Sequence, residues 1–119
     1  YYEIVNRYVS DEEAAVYLAA SDVMVLPYRT ASQSGVLSNA LNFDLPVIVS
    51  DLPGLTEHIE YGETGLIVPP EDPVSLAGEL VKVATSIDLN IMRNHVKNQR
   101  EQLSWKRFTD ELLSILDIR

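Results

Sequence analysis

The sequence predicts an α/β domain in which a parallel sheet is flanked by helices, and three observations carry that expectation. Val23-Met24-Val25-Leu26 is a short continuous apolar run ended by Pro27, the pattern of a strand buried on both faces. Val47-Ile48-Val49 repeats it. Between the two, Val36, Leu37, Ala40 and Leu41 fall at helical spacing, so the segment reads as strand, crossover helix, strand.

The other elements follow from local chemistry. Glu3 to Val9 is expected to form a strand. Ser10 and Glu13 fit a capping box, with Ser10 as N-cap and Glu13 three residues on, so a helix follows that carries Ala14, Tyr17 and Leu18 as its apolar stripe. Its acidic first turn suits the helix dipole. Asp51-Leu52-Pro53-Gly54 reads as a turn, and Thr56 to Tyr61 as a short helix closed by Gly62. Leu66-Ile67-Val68 is the third strand, stopped by Pro69 and Pro70. Asp72 followed by Pro73 supplies an N-cap and a favourable first residue for a helix bearing Leu76, Leu80, Val83 and Ala84. Ser86 to Asn90 breaks that helix. One further helix is expected over Ile91 to Leu103 and another from Ser104, with Trp105, Phe108, Leu112, Ile115 and Leu116 on one face.

Composition bounds the function. A chain of 119 residues with 46% hydrophobic content makes one domain with a modest core. Nine basic residues against eighteen acidic ones give a net charge of −9, and no Lys/Arg cluster interrupts it, which argues against a nucleic-acid or anionic-membrane surface. The lack of cysteine excludes disulfides, Cys-ligated zinc and thiol catalysis. His58 and His95 stand far apart without ligand spacing, so no metal site is expected. No run resembles a signal peptide or a membrane span. The chain opens at Tyr1 without an initiator methionine, so a fragment or processed product, truncated at its start, is expected.

The polar segment Arg29 to Ser34 lies at the carboxyl end of the first predicted strand, where ligands of open α/β sheets bind. Ser32-Gln33-Ser34-Gly35 leads into the helix, so backbone N–H groups, two hydroxyls and the positive end of the dipole converge there on a potential anion. On local chemistry alone, helix capping by Ser32 or Ser34 is the weightier reading, with Gly35 easing the turn. Arg29 is as easily a solvated surface group as a phosphate contact.

The ordered motifs YVSDEEAAVYLAASDVMVLPYRTASQSGV and PVIVSDLPGLTEHIEYGETGLIVPPEDP resemble the carboxyl-terminal domain of GT-B retaining glycosyltransferases of the family 4-like, group 1 type, particularly members with an SQSGV loop. The likeness runs from about Tyr8 to Leu80. It implies a Rossmann-like fold and the donor half of an enzyme, residues 1–119 forming part of a nucleotide-sugar-binding domain with a helical tail from about 87 to 119. The implied activity is transfer of a hexose to a glycan or lipid-linked acceptor, as in polysaccharide and lipopolysaccharide assembly. The implied substrate is a UDP- or GDP-linked sugar, with no cofactor and no metal. An amino-terminal acceptor domain of the same protein would face this one, and the last helix would pack back toward it. A cytoplasmic location follows, peripheral at the inner membrane through that other domain.

In such enzymes a Glu, seven intervening residues and a second Glu grip the sugar and the ribose. Ungapped, those positions fall on Ala31 and Asn39, so neither carboxylate is present. The resemblance assigns Ala31, Ser32, Gln33, Ser34, Gly35, Val36 and Leu37 to the donor sugar and diphosphate, chiefly through backbone amides, and Asn39 to the ribose; Arg29 is a phosphate assist. No catalytic side chain is assigned, since the family's cation comes from an earlier part of the domain, and the piece alone is expected to be inactive. Asp51 and Glu57 read as turn and helix-start residues, and Trp105 and Phe108 as core. A nucleotide-sugar 2-epimerase and a non-catalytic remnant or interaction module stay open beside the transferase. A homodimer through an exposed sheet edge is a further expectation.

Overall fold

A computed structural model describes residues 2–30 and 35–116. The expected α/β architecture is the one found. Helix α1 (Asp11–Ala20) leads into β1 (Met24–Leu26), α2 (Gly35–Asn42), β2 (Val47–Ser50), α3 (Pro53–Thr56), β3 (Gly65–Val68), α4 (Pro73–Thr85) and α5 (Leu89–Leu116). The three strands are parallel in the order β1-β2-β3, with Met24 opposite Val47 and Val47 opposite Gly65.

Alternation along the strands distributes two cores. Val47 and Val49 face a layer that includes Leu18 of α1, Leu37 and Ala40 of α2, and Leu55 of α3. Ile48, Leu66 and Val68 face the other side, where Leu76 and Val83 of α4 pack against them. All four residues of β2 are buried, as a central parallel strand requires. Ser10 caps α1 as expected, its Oγ accepting from the Glu13 amide at 3.2 Å. The Glu13 carboxylate does not return the favour, because it pairs with Arg7 at 2.6 Å. Asp72 caps α4 by accepting from the Ser75 amide and hydroxyl. Those bonds stabilise its charged form and hold its carboxyl below the ordinary value.

Several expectations are corrected. Glu3 to Val9 forms no strand: the segment is irregular, and Arg7 turns back toward Glu13 and the Tyr8 carbonyl. The short helix starts at Pro53 and ends at Thr56, since Pro53-Gly54 opens a helix where a turn was expected. Gly62 then adopts φ +81 in the turn entering β3, where its amide donates to the Gly65 carbonyl. The last two predicted helices are one, α5, whose 28 residues run through Ser104 unbroken.

That helix is bound to the domain only over its first half. Met92 and Val96 are buried, Arg93 donates to the Ser21 carbonyl, Gln99 to the His58 carbonyl, and Arg100 grips Asp44 through two bonds. Residues 101–116 are all exposed. Trp105 is 69% and Phe108 56% exposed, so the expected core stripe is a surface. It also lies on the side of the helix roughly opposite Met92 and Val96. Among the described residues, no helix is long and apolar enough to cross a membrane.

Candidate functional site

Because the strands are parallel, their carboxyl ends share one edge, and three loops leave it after Leu26, Ser50 and Val68. Three helices begin at these loops, α4 at Pro73 against one face of the sheet and two against the other. α2 opens at Gly35 and α3 at Pro53, so the positive ends of both point toward this edge. Between them lies a cleft of about 270 Å³ bordered by Gly35, Ser38, Gly54, Glu57 and His58. It shares Ser38, Leu41 and His58 with a larger groove of about 480 Å³ that runs under α5 to Arg107.

Gly35 lies at the mouth of this geometry. Its backbone is not left-handed, and a Cβ there would meet nothing within 4 Å. Neither a tight turn nor crowding within the described chain requires glycine there. Leu37 is buried in the core on this face of the sheet, while Val36 is 44% exposed. Asn39 is exposed one turn beyond Gly35 on the same stripe of α2. It is not among the residues bordering the cleft. Ala31, Ser32, Gln33 and Ser34 lie outside the described residues.

Arg29 is exposed on the loop after β1 and pairs with Glu71 at 3.5 Å. Asp51 extends the sheet, its amide donating to the Val68 carbonyl at 2.7 Å, and Glu57 follows the last turn of α3, at the end of that helix and not its start. His95 approaches the Glu63 carbonyl at 3.3 Å through Nδ1, at the amino-terminal edge of β3. Among the described residues no group of three or more His, Asp or Glu side chains gathers as metal ligands.

Sequence reasoning passed over two site features. Gly54 borders the cleft because α3 starts a turn earlier than expected, and a Pro at the first helical position was the signal for that. Glu71 reaches Arg29 across the sheet, a contact no spacing in the sequence announces.

A family model described as glycosyl transferases group 1 matches residues 3–86. The D-inositol 3-phosphate glycosyltransferase of Saccharomonospora viridis is 31% identical over 84% of this chain and 23% of its own length. Among solved structures, the sucrose-phosphate synthase of Thermosynechococcus elongatus superposes with a TM-score of 0.68 at 29% identity, covering 90% of this chain and 29% of that one. The Anabaena protein HepE, solved in complex with UDP, superposes with a TM-score of 0.66 at 18% identity over 82% of this chain and 29% of that one, a likeness of fold. The chain spans about a quarter of the length of the sequence relatives it matches.

Proposed function

The chain belongs to the glycosyl transferases group 1 family, and on that footing we propose that it is the nucleotide-sugar-binding part of a retaining glycosyltransferase acting on a glycan or lipid-linked acceptor. The observation that carries the reading is the amino terminus of α2 at Gly35, set beside a cleft at the carboxyl edge of the sheet. The UDP bound by the structurally similar HepE supports a nucleoside diphosphate as the leaving group.

The chemistry such a site performs is charge stabilisation. As the bond between sugar and diphosphate breaks, negative charge grows on the diphosphate, and fixed N–H dipoles aimed at it lower the barrier without reorganising. Backbone amides from Ala31 to Leu37, the dipole of α2 and the Arg29 guanidinium supply that role; Asn39 holds the ribose. With alanine at 31 in place of a carboxylate, the sugar is gripped mainly by main-chain groups. The acceptor belongs to an amino-terminal domain and the remaining cation to an earlier part of this domain, in keeping with the fraction of its relatives that the chain spans. The amino-terminal domain covers the aromatic stripe of α5. A nucleotide-sugar donor fits a cytoplasmic reaction in the assembly of a polysaccharide or lipopolysaccharide.

The test is an isotope-labelled NMR titration with UDP, GDP and ADP sugars, following the amides of residues 32–39. Shifts confined to the start of α2, with one nucleotide preferred, are expected. A folded spectrum untouched at millimolar ligand would sink the donor reading for this chain.

A further inference from the structure

The face of α5 that packs on the domain continues past the point where its burial ends. Val96, Arg100, Leu103 and Arg107 recur at helical spacing on that face, away from the aromatic stripe. All four border the groove of about 480 Å³ whose other wall includes Leu41 and Asn42 of α2. Two of the nine Lys and Arg residues of the chain therefore line this hollow, together with His58, while none of the described Asp or Glu residues does. A chain of net charge −9 thus gathers positive charge at a hollow of ligand size.

The two guanidinium groups differ in what they have left to offer. Arg100 uses two of its five N–H donors on Asp44, at 2.9 and 3.3 Å, so its charge is matched while three donors remain. Arg107 stands two turns, about 10 Å, further along the helix. It makes no ion pair among the described residues, although Asp110 and Glu111 follow it by one turn. An unpaired arginine on a bare helix surface is only a solvated charge. Arg107 instead shares a hollow with a second guanidinium, and planar N–H forks bind phosphate oxygens in pairs. Leu41, Val96 and Leu103 give the same hollow an apolar wall for a carbon skeleton.

The groove also runs into the cleft at the start of α2, with which it shares Ser38, Leu41 and His58. A molecule in one is a neighbour of a molecule in the other. We infer that the groove takes the phosphate of a phosphorylated acceptor, with Arg107 supplying the unmatched charge and Arg100 further donors. The inference rests on the donor-binding reading and adds to it the chemical class of the acceptor. The other domain holds the reacting hydroxyl, and this groove holds the anion carried by the same molecule. A neutral acceptor would leave Arg107 without a counter-charge.

The test titrates the isotope-labelled chain with glucose 6-phosphate, with glucose and with UDP, following the Nε–H resonances of Arg100 and Arg107 and the amides of Asn42 and Ser104. Glucose 6-phosphate is expected to shift these signals at millimolar concentration, and glucose to leave them in place. Saturating UDP is expected to shift residues 35–39 without displacing the sugar phosphate. Arg107→Gln should weaken the sugar phosphate about fivefold at low salt and less at high salt, and Arg107→Lys should recover part of the loss. Tm should not change, because residues 101–116 bury nothing. Lys106→Gln removes the adjacent charge, which does not border the groove, and should bind as the parent chain does. An equal loss in Lys106→Gln reduces the effect to overall charge and overturns the inference, as does an equal response to glucose or displacement by UDP. UDP shifts at α2 with a groove blind to glucose 6-phosphate overturn the inference and leave the donor reading standing. The reverse pattern upholds the groove and overturns the donor reading.

Discussion

A methyl group on Gly65 would stand 2.6 Å from the carbonyl oxygen of Val47, its register partner on β2. Backbone atoms in a central strand have nowhere to go, so Gly65→Ala is expected to cost about 1–3 kcal/mol in urea denaturation through overpacking. Gly35 is a glycine of another kind, with open space where its Cβ would be. Gly35→Ala should leave stability unchanged or raise it by up to about 0.5 kcal/mol, because alanine favours the helix. If the amide of residue 35 receives a diphosphate, the same methyl group obstructs it, and UDP titration should show weaker binding with no loss of Tm. Equal affinity in that variant would count against the close approach. The sequence shows both glycines and does not show which is crowded, because the crowding of Gly65 comes from pairing with a strand many residues away.

At the scale of elements, caps and alternation were legible because they are local. Ser10 and Asp72 each bond the amide three residues on, and the apolar runs at Val23 and Val47 became β1 and β2. What failed to show was where one helix ends and another begins. Pro53-Gly54 suits a turn and a helix start alike, and only the packing of Leu55 into the core decides between them. Ser104 stops nothing in a stretch free of glycine and proline, so α5 continues past it. The Asp72 cap gives a pH-dependent prediction. Its folded carboxyl titrates below the ordinary 3.8, so its contribution is fully present above that value and fades as pH falls through the lowered one. Thermal melts of Asp72→Ala should therefore fall below those of the parent chain at neutral pH and converge with them in strong acid. Met92→Ala, which empties a buried site beneath α5, should cost about 2–5 kcal/mol. Removing residues 105–116, where nothing is buried, should leave the unfolding midpoint nearly unchanged.

The whole molecule measures 55 × 31 × 29 Å, and its elongation accompanies the projecting half of α5. Trp105 is the only tryptophan of the chain and reports on that half directly. Its fluorescence should be readily quenched by iodide here and shielded in a longer protein whose other domain covers the stripe. Both outer edges of the sheet, β1 and β3, lack a strand neighbour among the described residues, so pairing of two copies is the expected route of self-association. A monomer by light scattering at high protein concentration would remove it. The attachment of α5 has a mechanical side. Arg100 and Asp44, joined by two bonds at 2.9 and 3.3 Å, clamp the helix at its last contact with the base of the sheet. From that fulcrum to Leu116 the helix reaches about 24 Å, so a tilt of only about 10° sweeps its tip through about 4 Å. Anything docked on the aromatic stripe would move as on the end of a lever, its travel set by the angle held at Asp44.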